Sequence, residues 1–195
     1  MSNFSLADAF SINLNFIIYI RNLYLNYNSE YETSNIYPWI PINKDALLNM
    51  SDFDIKSKEI WNTIINDFSF ISSDLIVIDL EYWVNKKFPF SDLFNSSTCS
   101  IEQYQNIKKA FEAWYWGSGN IVTRFFSKDI VINYYDKLIN MAESESLKLK
   151  DTRIYLQVVY DKPSESWEIK NNNMIVISLN DRLPKEEEIF KIYYP

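Results

Sequence analysis

Few residues in this chain carry reactive chemistry, and the sharpest pair is Asp79 and Glu81 in "IVIDLEYW". The short apolar run "LIVIDL", residues 75–80, reads as a buried strand. On a strand, carboxylates two positions apart project to one face, where they are placed to hold a divalent cation. Cys99, in "NSSTCSIEQ", is the second candidate. It falls just before an expected helix N-terminus, where a thiolate is stabilised. The chain has no histidine to activate it, so a small packing residue is the favoured reading.

The stretch around Asp79 resembles the first motif of the DEDD-type exonucleases, which carry D-x-E on a strand. That resemblance implies two-metal phosphodiester hydrolysis. It covers about six residues, and the chain departs from the pattern: no Y-x-x-x-D follows, and bulky Tyr82 and Trp83 stand where small residues are expected. A metal-dependent phosphodiesterase using Asp79 and Glu81 is therefore the alternative reading of function, not the first.

Composition removes other chemistries. Without histidine there is no Ser-His or Cys-His pair and little prospect of a zinc site. The two glycines, Gly117 and Gly119, cannot supply a glycine-rich phosphate loop. One cysteine precludes an internal disulfide. Abundant Asn, Ile, Lys, Tyr and Phe with scarce Gly suit an AT-rich genome, so the asparagines carry no functional weight. Catalytic residues, metal ligands and cofactors are all expected to be none.

The charge distribution points elsewhere. Residues 30–81 hold ten of the 26 acids and three of the 19 bases, a balance equal to the whole net charge of −7. Tyr31, Tyr37, Trp39 and Trp61 are interleaved with them. Aromatic side chains set among carboxylates suit a surface that steers and grips a basic protein. The expected contact residues are Glu30, Tyr31, Glu32, Tyr37, Trp39, Asp45, Asp52, Asp54 and Trp116. No basic stripe exists, which disfavours direct nucleic-acid binding.

These residues must be positioned by the fold. At 195 residues and 47% hydrophobic, a single globular domain over 1–195 with a sizeable core is expected. Residues 5–28 fit both a strand alternation and a helical stripe, and length favours helix. Residues 29–54 read as a long connection with a short helix near 44–50. A helix follows over 55–68, capped by Asp52 or Asp54. Ser100 and Gln103 have capping-box spacing and open another helix. Gly117 is expected to end it in a left-handed conformation. In "FEAWYWGSGN" this leaves Trp116 off the buried stripe as an aromatic anchor. A further helix is expected over 128–142. The C-terminal part, "TRIYLQVVY", "SWEIK", "MIVISL" and "EEEIFKIYY", reads as strands. The expected class is α+β: a helix-rich N-terminal two-thirds packed on a mainly antiparallel sheet built from the C-terminal strands.

The start of the chain lacks a basic n-region, and "FIIYI" is too short to span a bilayer, so a cytoplasmic protein with no membrane partner is expected. The functional expectation is an acidic inhibitor that binds a protein directly, most concretely a bacterial immunity protein (an antitoxin) against a secreted, basic nuclease toxin. A phage-encoded or regulatory interaction module would use the same surface logic.

Overall fold

The structure is a computed structural model that describes residues 4–28, 37–38, 40–69, 71, 74–144, 153–171, 174–180 and 185. The last expected strand, "EEEIFKIYY", lies outside these residues, as does much of the 29–39 connection.

Strand β1 spans Ser5–Ala9, and helix α1 follows over Ile12–Asn28. The ambiguous segment is thus both elements in succession, with Phe10 and Ser11 as the turn between them. Helix α1 is buried almost all round, including Leu14, Phe16, Ile18 and Tyr24. This is the pattern of a central helix rather than a surface one. Its buried polar residues are hydrogen-bonded to neighbouring elements: Asn15 Nδ2 donates to the carbonyl of Val158 at 3.1 Å, and Asn15 Oδ1 accepts from the Tyr160 N–H at 3.0 Å.

A 3₁₀ turn, Lys44–Ala46, precedes helix α2, Met50–Ser69. The cap of α2 is Asn49, whose Oδ1 accepts from the Asp52 N–H at 3.0 Å. The helix therefore begins one turn earlier than the acidic residues suggested. Helix α3 spans Leu75–Val84, the segment expected to be a strand. An apolar run of this length does not distinguish a buried strand from a helix. Here the decision lies at the ends. Asp74 Oδ1 accepts from the Ile76 N–H at 3.0 Å. At the other end Lys86, with φ of 53°, closes a Schellman turn through Lys87 N–H to Tyr82 C=O at 3.0 Å.

Helix α4, Ile101–Trp114, opens as expected: Ser100 Oγ accepts from the Gln103 N–H at 3.0 Å. It does not stop at Gly117. Residues Tyr115–Gly119 form one wider π turn, and the chain passes through a kink at Gly117 (φ −96°) into helix α5, Asn120–Ser144. No described glycine has positive φ, so the left-handed helix end does not occur. Gly119 explains why the turn can form: a Cβ there would sit 2.6 Å from Cε2 of the Trp114 indole.

Strands β2 (Arg153–Val159), β3 (Lys170–Asn171) and β4 (Met174–Ser178) complete a sheet of order β1-β2-β4-β3. The three longer strands run parallel, β1 beside β2 and β2 beside β4, and the two-residue β3 alone is antiparallel. The expectation of a mainly antiparallel, C-terminal sheet is therefore overturned: its first strand comes from the N-terminus, and its main pairings are parallel. Burial gives the reason. Tyr155, Val159, Met174 and Val176 join the α1 core, whereas Ile154, Leu156, Val158, Ile175 and Ile177 pack with Tyr134, Leu138 and Ala142 of α5. Strands covered on both faces are typical of parallel sheets. The alternation read in β2 was real, but both of its faces are buried. Among the described residues no helix is long and apolar enough to cross a membrane.

Candidate functional site

Helix α3 has two contrasting stripes. Leu75, Asp79 and Trp83, four residues apart, are buried. Ile76, Leu80 and Val84, one position further on, are exposed, together with Val77. A carboxylate in the buried stripe needs compensation, and it receives it from the start of α1. Asp79 Oδ2 accepts from the Ile12 N–H at 2.7 Å, and Oδ1 accepts from Ser11 Oγ at 2.8 Å and Asn13 Nδ2 at 2.7 Å. Ser11 Oγ in turn accepts from the Leu14 N–H at 3.1 Å. Asp79 thus completes the N-terminal cap of a helix far away in sequence and satisfies amide groups that the helix itself cannot. Burial raises its carboxyl to about 6, against the lowering effect of the Asn13, Ser11 and Ile12 hydrogen bonds.

Glu81 is exposed and lies on another side of the helix. The helix, at 3.6 residues per turn, separates the two carboxylates that a strand would have aligned. Among the described residues no group of three or more His, Cys, Asp or Glu is placed to hold a metal ion. Cys99 is half-buried, and burial pushes its thiol up, away from the reactive thiolate.

Beside Asp79 is a hollow of about 700 Å³ at the carboxyl ends of β1 and β2. In sheets with parallel strands this is where ligands most often bind. Its polar lining includes Asp8, Ser11, Asp79, Asn120 and Gln157, and its apolar rim is built by Ile76, Leu80, Trp116 and Ile132. The charged residues among its described lining are the acids Asp8 and Asp79. Trp116 is 56% exposed, with its ring edge-on to Tyr115 at 4.9 Å. Tyr115 is fixed in place: its hydroxyl donates to the Phe10 carbonyl and its ring stacks on Phe10 at 4.9 Å. Gln157 is fully buried, and among the described residues neither its amide nitrogen nor its oxygen has a hydrogen-bond partner.

The expected contact residues divide into separate groups. Asp45 is exposed on the 3₁₀ turn, and Asp52 and Asp54 are exposed near the start of α2. Asp52 Oδ2 accepts from Asn49 Nδ2 at 2.7 Å, and Asp54 lies close enough to Arg21 to favour its charged form against burial. Tyr37 is half-exposed, its ring 5.4 Å from Trp114 and 6.1 Å from Tyr19. Trp116 belongs to the hollow, with Asp79 and Leu80. Glu30, Tyr31, Glu32 and Trp39 lie outside the described residues. Trp61 is fully buried; its Nε1 donates to the Glu168 carbonyl at 2.6 Å.

Sequence reasoning missed Ile76, Leu80, Ile132, Asp8 and Gln157. The signal for the first two was present: read as a helix, "LIVIDLEYWV" has apolar residues on too many sides for a surface element. In comparisons with known proteins, no family model, curated protein or solved structure matches the chain.

Proposed function

We propose that the chain is a cytosolic binding protein that occludes a basic protein partner, as an immunity protein does when it neutralises a nuclease toxin. The observation that carries this reading is the rim of the hollow. Trp116, Ile76, Leu80 and Ile132 are exposed apolar side chains around a lining whose described charges, Asp8 and Asp79, are negative. Exposed apolar patches with polar surroundings mark interaction sites, and an exposed aromatic on the rim of an acidic hollow suits a Lys or Arg side chain of a partner. The exposed acids Asp45, Asp52 and Asp54 supply long-range attraction for the same partner. A phage-encoded inhibitor or regulatory module would use the same surface. Nothing in the geometry favours the metal-dependent phosphodiesterase, because Asp79 is engaged by α1 and Glu81 points elsewhere.

The test is titration of the protein against basic nuclease domains encoded beside its gene, followed by calorimetry. A tight complex that Trp116→Ala weakens by ~10-fold or more, without a change in melting temperature, is expected. Absence of a complex with every such domain, or a Trp116→Ala variant that binds as the wild type does, would overturn the reading.

A further inference from the structure

The other end of α3 borders a second hollow, of about 510 Å³, within the size range of small-molecule sites. It lies between the end of α3, the segment 88–94 and the start of α4. Its charge is opposite to that of the first: Lys56, Lys86 and Lys108 line it against the single acid Asp92. Phe88, Phe90, Phe94, Trp83 and Tyr104 contribute aromatic walls.

Each cation is positioned. Lys108 Nζ lies 4.3 Å from the Trp83 ring centroid, with its side chain only 16% exposed. It also forms a long ion pair, 3.9 Å, with Glu112 Oε1, the oxygen that accepts from Trp83 Nε1 at 2.9 Å. Lys56 Nζ donates to the Asp92 carbonyl at 3.2 Å. Lys86 forms no ion pair among the described residues. It occupies the left-handed position that ends α3, with φ of 53°. Glycine or asparagine fills such a position at least cost, and a lysine there stores strain. The 14-residue helix α4 adds the positive end of its dipole, since Ser100 and Ile101 also line the hollow.

We propose that this hollow binds a small organic anion with a flat aromatic group, such as an aryl phosphate. The lysines and the α4 terminus hold the anion, and the ring lies against the aromatic walls. Its concavity suits a small molecule better than a chain, and the net charge of −7 opposes a polyanion. This site shares α2 and α3, but no residue, with the protein-binding surface, and neither proposal depends on the other.

The test uses the full chain at low salt, with phenyl phosphate, benzyl alcohol and inorganic phosphate as probes in ligand-observed NMR. Phenyl phosphate is expected to bind ~10-fold tighter than either control, because only it engages both the cations and the rings. Lys86→Gly should weaken it about 3-fold or more while raising the melting temperature, which separates loss of the charge from loss of the fold. Lys108→Gln should also weaken it. Phenyl phosphate binding no tighter than both controls, or unchanged in both variants, would overturn the proposal. Tighter binding of hexaglutamate than of phenyl phosphate would overturn it in favour of an acidic peptide partner.

Discussion

The carboxylate of Asp79 accepts the first backbone N–H of helix α1, that of Ile12, at 2.7 Å across 67 residues of sequence. One side chain in the middle of α3 thus fixes where the central helix begins and where the wall of the acidic hollow stands. Asp79→Asn offers a single acceptor oxygen to three donors. It should cost about 1–3 kcal/mol at neutral pH, read from urea midpoints.

The same carboxylate gives the fold a pH dependence. Its pKa of about 6 lies above the ordinary 3.8, so the folded chain binds this proton more tightly than the unfolded one. The contribution to stability is fully present below about pH 4 and is lost as pH rises through 6. The stability advantage of the wild type over Asp79→Asn should therefore be larger at pH 5 than at pH 7. A difference that stays constant, or reverses, contradicts the assignment.

Ile76 is exposed on the rim of the hollow. Ile76→Arg should leave the melting temperature within about 2 °C of the wild type, as surface substitutions usually do. It should weaken a basic partner by about 10-fold, through like charge and lost apolar contact. Surface plasmon resonance with the same nuclease domains measures both the size of the loss and whether it lies in the off-rate.

Gly119→Ala drives a methyl group into the Trp114 ring, 2.6 Å from Cε2. The ring also packs against Tyr160 at 4.7 Å and Phe111 at 5.9 Å, so it cannot yield freely. A loss of about 1–3 kcal/mol is expected. Pairing the variant with Trp114→Leu in a double-mutant cycle should recover part of it, and strict additivity would assign the loss to the π turn itself.

Tyr24 ties α1 to two segments at once: its hydroxyl accepts from the Leu48 N–H at 2.9 Å and donates to the Leu93 carbonyl. Its ring stacks on Phe53 at 3.8 Å. Tyr24→Phe keeps the stack and strips both hydrogen bonds. Thermal melting should show about 1–3 kcal/mol of destabilisation.

Local signals carried the helices well. Ser100 caps α4 as its spacing with Gln103 implied, and the apolar stripe of Ile60, Trp61, Ile64, Ile65 and Phe68 is buried on α2. Of the C-terminal stretches read as strands, "MIVISL" holds β4, whereas "SWEIK" contributes only Lys170 to the two-residue β3. What could not be read was long-range. Residues 75–80 are equally apolar as strand or helix, and only Asp74 and the turn at Lys86 decide between them. Parallel pairing depends on which elements cover both faces of β2, and sequence alternation does not contain that information. Trp116 was legible as an off-stripe aromatic. Its neighbours in the hollow come from β1, α3, α5 and β2, and no local pattern joins them.

The pairing of Ser5 with Arg153 and of Ala9 with Gln157 bears on how the chain is made. Strand β1 is at the sheet edge, and its one neighbour there is β2. During synthesis, at roughly 5–20 residues per second, the first strand leaves the ribosome roughly 7–30 seconds before its partner exists. Helices α1 to α5 emerge in that interval, around a sheet that has not yet formed. Strand β1 therefore waits without its sheet partner while the residues of all five helices are being made.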